Sequence, residues 1–152
     1  LQYEEALSTK RILDLGTGAG FPGVVLAIAD SKIKITLIDS SRKKTLFLRN
    51  LKTKLNLQTE IICDRVENLA YSSLDKYDII VARAVADIPV LYNWSVSYLK
   101  KDGYLMTLKG DDYMTEMDPK KNIKIIELRP NPTWCIFSEY LANKRMIKIV
   151  NI

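Results

Sequence analysis

The segment DLGTGAGFPG, residues 14–23, places four glycines directly after a short apolar run, and it sharply limits the folds open to the chain. Glycine lets the backbone turn tightly and leaves no Cβ between a loop and a bound molecule. RILDL, residues 11–15, predicts a buried strand before the loop, and residues 22–30 predict a helix with Pro22 in its first turn. A strand, a glycine loop and a helix in this order are typical of a ligand-binding crossover in an α/β sheet.

Apolar runs and helical segments continue to alternate along the chain. The pattern predicts further strands at residues 34–39, 59–63, 77–83 and 103–109, and helices at residues 41–56 and 88–100. Two more strand-like runs, residues 122–128 and 145–150, have no convincing helix between them and therefore predict an antiparallel pair. The fold class is α/β: a mostly parallel, doubly wound sheet with a C-terminal antiparallel strand pair.

Length and composition indicate one globular domain. The chain has 152 residues, 47% of them hydrophobic and 27% charged, and a domain typically has about 100–200 residues. Its longest apolar run, residues 23–29, is far shorter than the roughly 20 residues that a membrane span needs. No basic segment followed by an apolar one opens the sequence. We therefore expect a cytoplasmic protein without a membrane partner.

The lack of histidine and the scarcity of cysteine limit the metal sites and catalytic mechanisms open to the chain. The sequence has no histidine and only two cysteines. A four-ligand zinc site of the Cys/His type cannot be assembled, and Ser-His-Asp or Cys-His catalysis is excluded. We expect no metal site, and an enzyme built from this chain works without imidazole.

Asp39 ends the second predicted strand, beside the glycine loop. Ligands of doubly wound sheets bind outside the carboxyl ends of the strands, next to the first crossover. A carboxylate at that position can accept hydrogen bonds from both hydroxyls of a ribose. An incidental acid beside a tight turn is the ordinary alternative, but the glycines and Asp39 together favour a ligand of the nucleoside type.

Two glycine patterns compete for the identity of that nucleoside. A G-x-G-x-x-G pattern starting at Gly18 matches the dinucleotide fingerprint, which alone is weak evidence. A D-x-G-x-G-x-G pattern starting at Asp14 is the acid-led loop of methyltransferases that use S-adenosylmethionine. The second pattern fits better because the predicted strand ends at Leu15 and makes Gly16 the first loop residue. The antiparallel end of the sheet also suits methyltransferases better, by analogy of fold.

Six segments together resemble one protein family in order and spacing: ILDLGTGAGFPGVVLAI, LIDSSRKKTLFL, DRVENL, ARAVADIPVL, LKG and KRMIKIV. The family is the bacterial 16S ribosomal RNA guanine-N(7) methyltransferases, also called the glucose-inhibited division protein B family. The resemblance extends from about Lys10 to the last residue and implies a class I S-adenosylmethionine-dependent methyltransferase fold, which is Rossmann-like. It implies a single domain over residues 1–152, with residues 1–9 as the remnant of the family's N-terminal helical segment.

The resemblance also implies an activity. The expected reaction transfers a methyl group from S-adenosylmethionine to the N(7) position of a guanine in 16S ribosomal RNA and leaves S-adenosylhomocysteine. The expected partner is 16S ribosomal RNA or the small ribosomal subunit, and we expect a monomer. Two alternatives stay open: a nicotinamide-dependent oxidoreductase and an inactive RNA-binding relative. Binding of S-adenosylhomocysteine against NAD separates the first, and methyl transfer to RNA separates the second.

The resemblance assigns a cofactor-binding set that follows the carboxyl ends of the strands. Its members are Asp14, Gly16, Gly18, Gly20, Phe21, Asp39, Ser40, Ser41, Val66, Glu67 and Arg83. Within this set Val66 and Glu67 correspond to the pair that lies along the adenine.

The resemblance also assigns a substrate-positioning set of basic residues: Arg65, Arg83, Lys109 and Arg145. No residue is expected to act as general acid or base, because the guanine N(7) has a free lone pair. Arg65 and Arg145 also fit an ordinary explanation as surface charges at strand ends, and Lys109 as an exposed hairpin lysine.

Three further features lie outside these two sets. The predicted helix at residues 41–56 carries six basic residues, and a solvated face explains them as well as a phosphate-contacting face does. The net charge of +5 is compatible with a nucleic-acid partner without proving one. Trp94 lies within an apolar predicted helix and is expected in the core.

Overall fold

The computed structural model describes residues 9–69, 76–116, 123–128 and 144–151. Its strands are β1 (Arg11–Leu15), β2 (Lys34–Ile38), β3 (Glu60–Ile62), β4 (Tyr77–Arg83), β5 (Leu99–Gly110), β6 (Ile123–Leu128) and β7 (Lys144–Asn151). Its helices are α1 (Gly23–Ala29), α2 (Arg42–Lys54) and α3 (Ile88–Ser95), with short 3₁₀ turns at Val66–Asn68 and Tyr113–Glu116. The expectation for residues 1–9 falls, except for Thr9, outside the described residues.

The strands form one sheet in the order β3-β2-β1-β4-β5-β7-β6. The five strands from β3 to β5 are parallel neighbours, as the alternating pattern predicts. β7 pairs antiparallel with β5 on one side and with β6 on the other. The predicted antiparallel pair is therefore confirmed, and β7 lies inside the sheet while β6 forms its edge.

Apolar side chains cover both faces of the sheet. Neighbouring residues of a strand point to opposite faces, and on β1 Leu13 belongs to one buried cluster while Ile12 belongs to the other. The first cluster includes Ile88 and Leu91 of α3, and the second includes Leu48 of α2. The central strands are consequently buried on both sides, which explains why their sequences are continuous apolar runs.

The helix predicted for residues 88–100 is wrong in its last part. α3 ends at Ser95, and β5 already begins at Leu99. Buried Tyr98 holds the chain between these two elements: its N–H donates to the Ser95 carbonyl, and its hydroxyl donates to the Leu69 carbonyl at 2.9 Å. The hydroxyl contact with a distant segment overrides the local helical preference. Among the described residues, none of the helices has both the length and the apolar character to cross a membrane.

Candidate nucleoside site and neighbouring basic residues

The glycine loop follows β1 and adopts a backbone that only glycine tolerates well. Gly16, Gly18 and Gly20 have φ angles of +68°, +63° and +100°. A Cβ on Gly16 would lie 2.7 Å from the Val85 Cγ2, so a side chain there is excluded by contact as well as by backbone strain. The loop therefore presents bare backbone at the carboxyl end of the sheet.

Asp39 connects the glycine loop to the start of α2. Its side chain is buried, and one oxygen accepts the Gly18 N–H at 2.9 Å while the other accepts the Ser41 N–H at 2.8 Å. Lys44 Nζ lies 3.6 Å from the first of these oxygens. A carboxylate oxygen has two acceptor positions, so each oxygen can still accept a bond from a hydroxyl group. Asp39 thus both fixes the loop and keeps the capacity to bind a diol.

A cleft of about 210 Å³ opens beside Asp39 at the carboxyl ends of β1 and β2. It brings together six residues of the predicted cofactor and substrate sets: Gly16, Asp39, Ser40, Arg65, Val66 and Glu67. These residues come from three segments far apart in the sequence. The cleft therefore coincides with the crevice where doubly wound sheets bind ligands.

Five lining residues were not assigned to the site from the sequence: Leu15, Ile38, Asp64, Val85 and Trp94. Trp94 was expected in the core; it is partly buried, packs against the core cluster and also forms part of the cleft wall. Asp64 directly precedes Arg65, so its position next to a predicted site residue was an available signal. Val85 had no such signal, because its place depends on how the chain turns after β4.

Asp14 of the predicted cofactor set lies beneath the loop, outside the cleft lining. It is fully buried, and its Oδ2 accepts the Thr17 hydroxyl at 2.6 Å and the Gly23 N–H at 2.7 Å. Its Oδ1 has no hydrogen-bond partner among the described residues. Burial raises the pKa of Asp14 to about 6, although the hydrogen bonds from Thr17 and Gly23 and the charge of Arg83 act against this rise. Asp14 joins the end of β1 to the start of α1.

Arg83 and Phe21 form a separate contact at the end of β4. The Arg83 guanidinium carbon lies 5.4 Å from the centre of the Phe21 ring, a distance typical of a cation–π pair. Phe21 is 48% exposed, so this pair lies at the surface. Phe21 and Arg83 do not line the cleft, whereas Arg65 does.

Lys109 and Arg145 face each other across β5 and β7, at the same edge of the sheet as the cleft. Lys109 Nζ donates to the Glu116 carboxylate at 2.7 Å and to the Ala86 carbonyl at 2.8 Å. The same Glu116 oxygen accepts the N–H of Ile88, the first residue of α3. Lys109 therefore holds the β4–α3 loop. It is not an exposed hairpin lysine, which was the ordinary explanation considered for it from the sequence.

Arg145 also lies among carboxylates. Its guanidinium is 2.7 Å from Asp111 and 3.4 Å from Glu127, and Glu127 in turn accepts the Tyr113 hydroxyl. The Arg145 side chain is 23% exposed. It is consequently a partly buried, paired arginine and not a freely solvated one.

Comparison with known proteins places the chain in a family. The family model described as rRNA small subunit methyltransferase G matches residues 1–131. A ribosomal RNA small subunit methyltransferase G of Mesoplasma florum is 45% identical over 121 residues, which cover 79% of this chain and 51% of the relative. The chain belongs to the rRNA small subunit methyltransferase G family. It spans about half the length of the curated relatives that it matches.

Solved structures show that this member of the rRNA small subunit methyltransferase G family has the class I methyltransferase fold. An rRNA methylase from Streptococcus thermophilus matches with a TM-score of 0.65 at 16% identity, over 97% of this chain and 90% of that one. An S-adenosylmethionine-dependent methyltransferase from Thiobacillus denitrificans, solved with S-adenosylhomocysteine, matches with a TM-score of 0.56 at 17% identity, over 86% and 48% of the two chains. The sequence-based fold class is confirmed.

Asp14 gives this family member a pH dependence that can be measured. Because the native carboxyl group (pKa about 6) binds its proton more tightly than the unfolded one (3.8), its ionisation destabilises the fold as the pH rises through this range. The loss is complete above about pH 6 and amounts to about 3 kcal/mol at roughly 1.4 kcal/mol per pKa unit. Asp14→Asn removes this titration while keeping the side-chain shape.

We expect the free energy of unfolding of the unaltered protein to fall by about 2–3 kcal/mol relative to Asp14→Asn between about pH 4 and pH 7. Urea denaturation of both proteins across this range measures the difference. An identical pH dependence in the two proteins contradicts the assignment of the titrating group.

Proposed function

We propose that the chain transfers a methyl group from S-adenosylmethionine to the N(7) position of a guanine in 16S ribosomal RNA. The observation that carries the proposal is the cleft at the carboxyl ends of β1 and β2, with buried Asp39 at its rim, in a chain of the rRNA small subunit methyltransferase G family. The proposal includes a single domain over residues 1–152, a monomer, a cytoplasmic location, and 16S ribosomal RNA or the small subunit as partner.

The lining of the cleft fits the proposed cofactor. Leu15, Val85 and Trp94 contribute apolar lining suited to a flat adenine, and Val66 and Glu67 line the same cleft. The Asp39 carboxylate keeps acceptor positions for the two ribose hydroxyls, with Ser40 and Ser41 beside it. Because Gly16 has no side chain, Val85 of the cleft lining can pack against it, with its Cγ2 2.7 Å from the position that a Cβ would take. When bound, S-adenosylmethionine supplies a methyl group on a positively charged sulfur.

The loop residues support this site indirectly. Gly18 donates to Asp39, and Gly20 sets the turn that leads to Phe21. Asp14 anchors the loop from below through Thr17 and Gly23. These residues shape the cofactor site, and Phe21 with Arg83 forms its outer boundary in the proposal.

The proposed reaction needs positioning and no proton transfer. The guanine N(7) lone pair is free at neutral pH, and the chain has no histidine that could act as a base. Holding the lone pair in line with the methyl group can supply roughly 7–11 kcal/mol of the barrier reduction. The chain's contribution is therefore to orient the guanine and exclude other geometries.

The basic residues are proposed to hold the RNA. Arg65 lies in the cleft wall and is exposed, so it is well placed to bind a phosphate or the guanine carbonyl. Arg83 lies at the end of β4 beside Phe21. Lys109 and Arg145 would exchange carboxylate partners for RNA groups when the substrate binds, because both are already paired.

Two measurements test the proposed function. Calorimetry with S-adenosylhomocysteine and with NAD decides the cofactor, and we expect binding of the first only. Transfer of a labelled methyl group to 16S ribosomal RNA, followed by mapping of the modified base, decides the reaction. Binding of NAD alone overturns the cofactor, whereas cofactor binding without transfer to RNA overturns the activity and favours an inactive relative.

Arg145→Ala separates substrate binding from cofactor binding. We expect the affinity for S-adenosylmethionine to stay nearly unchanged, because Arg145 lies outside the cleft lining. Methyl transfer should fall at least tenfold, which corresponds to a loss of about 1.4 kcal/mol in the transition state. Arg145→Lys should restore only part of the rate, since lysine lacks the planar pair of donors.

Calorimetry and single-turnover transfer on the same preparation measure both quantities. Glu127→Gln is the matched control, since it removes one ion-pair partner of Arg145 and leaves the guanidinium in place. A transfer rate equal to that of the unaltered protein shows that Arg145 has no part in the reaction.

A further inference from the structure

The charged residues of α2 are all basic: Arg42, Lys43, Lys44, Arg49, Lys52 and Lys54. Arg42 and Lys43 stand in the first turn, where the partial positive charge of the helix N-terminus disfavours cations. The helix contains no acidic residue that could form a stabilising pair three or four positions away. Lys52 and Lys54 stand in the last turn, where the helix dipole favours cations, but helix stability does not account for Arg42 and Lys43 in the first turn.

Two of these side chains have partners in the fold. Lys44 Nζ approaches the Asp39 carboxylate, and Lys52 Nζ donates to the Thr59 carbonyl at 2.5 Å. The side chains of the other four have no ion pair or hydrogen bond within the part of the chain that the structure describes: Arg42, Lys43, Arg49 and Lys54. All four are exposed. In contrast, Lys100, Lys109 and Arg145 all pair with carboxylates.

The spacing of the four cations arranges them in two rows along α2. Arg42 and Arg49 are seven residues apart and Lys43 and Lys54 are eleven apart, so each pair is separated by nearly whole turns of about 3.6 residues. At 3.6 residues per turn the two rows lie roughly 120° apart around the helix axis, and the buried residues Thr45 and Leu48 lie outside the sector between them. The cations consequently form two rows that point away from the sheet.

Apolar side chains are interspersed with these rows. Leu46 is 59% exposed and Phe47 is 51% exposed, although both follow the basic first turn. We call the outward surface formed by Arg42, Lys43, Leu46, Phe47, Arg49 and Lys54 the α2 face. Cations at regular spacing together with an exposed aromatic ring are the combination that proteins use for single-stranded nucleic acid.

We propose that the α2 face binds RNA, with the four cations holding backbone phosphates and Phe47 contacting a base. The face begins at Arg42, two residues after Ser40 of the cleft lining, so a strand bound along it leads to the nucleoside site. A polyanion complements a surface that, among the residues the structure describes, has four cations without an ion pair and includes no acid. The inference rests on the proposed function for its substrate, and RNA is favoured over a membrane because Leu48 and Leu51 pack against the sheet, which leaves only Leu46 and Phe47 as apolar side chains on the α2 face.

A charge-removal variant tests the four cations. Arg42→Gln, Lys43→Gln, Arg49→Gln and Lys54→Gln are combined in one protein, since glutamine is a good helix former and the fold should remain intact. The matched control combines Lys32→Gln, Lys34→Gln, Lys101→Gln and Lys124→Gln, which are also exposed and change the net charge by the same amount. Binding of a fluorescein-labelled single-stranded RNA is followed by anisotropy at several salt concentrations.

We expect the α2 variant to bind this RNA at least tenfold more weakly at about 0.1 M salt, with the slope of log K against log salt reduced by about 3. The control should lose less than about threefold and keep most of its slope. Equal losses in the two variants overturn the proposal, because bulk charge then explains binding. Unchanged RNA affinity in the α2 variant overturns it as well.

Phe47→Ala tests the aromatic contact separately. We expect RNA affinity to fall about fivefold or more without a change in the salt slope, because stacking on a base involves no counterion release. Ile28→Ala on α1, where the side chain is 59% exposed, is the matched control and should bind like the unaltered protein. Equal effects of the two substitutions contradict a specific contact at Phe47.

The same preparations distinguish this proposal from its alternatives. S-adenosylhomocysteine affinity should be unchanged in the α2 variant, and a failure of the unaltered protein to bind it refutes the proposed function without touching the RNA result. Vesicles with anionic lipid serve as a second probe. Vesicle binding that is lost in the α2 variant while RNA affinity stays unchanged overturns the proposal in favour of a membrane surface.

Discussion

Asp39→Ala should weaken S-adenosylmethionine binding about ten- to a hundredfold, a loss of about 1.5–3 kcal/mol, while the protein remains folded. The substitution removes the acceptors proposed for the ribose hydroxyls. It also releases the Gly18 N–H and the Ser41 N–H, which Asp39 holds at 2.9 and 2.8 Å. Both effects act on the cleft, and calorimetry with the cofactor measures their sum.

Asp64→Ala provides the comparison, because Asp64 lines the same cleft but accepts its hydrogen bonds from Arg65 and Asn68. It should change cofactor affinity by less than about threefold, within the usual range for a partly exposed polar contact. Thermal unfolding checks that both variants are folded, and Asp39→Asn replaces Asp39→Ala if the latter is not. Unchanged affinity in a folded Asp39 variant contradicts the ribose assignment.

Gly23→Ala should lower the free energy of unfolding by about 2 kcal/mol or more, because a side chain at this position overpacks the second buried cluster. Its Cβ would lie 2.3 Å from the Leu37 Cδ2 and 2.7 Å from the Asp14 Oδ2. The neighbouring atoms belong to a buried strand and a buried carboxylate, so neither can move away at low cost. For a chain of this size the expected decrease in Tm is about 4–8 °C.

Gly110→Ala is the matched control on β5. Its Cβ would approach the Asp112 Oδ1 at 2.7 Å, but Asp112 is exposed and its carboxylate can turn away. We expect a change in Tm of less than about 2 °C, in line with a surface substitution. Calorimetric or urea unfolding of both variants decides the matter, and equal Tm values for them show that the space around Gly23 is not restrictive.

The parallel half of the fold could be predicted because its signals are local. β1 and β4 have the bounds that their apolar runs indicate, and the glycine loop starts at Gly16 as expected. The end of α3 could not be predicted, since Tyr98 ends it through contacts with Val66 and Leu69 from a distant segment. At such points, contacts between segments that are distant in the sequence outweigh the local preference for a helix.

The candidate site also has a part that could be predicted from the sequence and a part that could not. Gly16 and Asp39 were predicted because both directly follow strands whose carboxyl ends meet in a parallel sheet. The ion pairs of Arg145 were not predictable, since Asp111 and Glu127 come from other elements and meet it only through the pairing of β5, β6 and β7. The sequence indicated that Arg145 places a positive charge at this edge of the sheet. Only the fold shows that this charge is already paired with carboxylates.

The position of β7 has a consequence for synthesis on the ribosome. β6 leaves the exit tunnel before β7, yet β7 lies between β5 and β6 in the finished sheet. Until β7 emerges, β5 therefore has an open edge, and β6 has no partner strand of its own. Open edges of this kind invite pairing with other nascent chains. The sheet can close only after translation has passed Lys144–Asn151, so a pause within residues 129–143 would prolong the aggregation-prone stage.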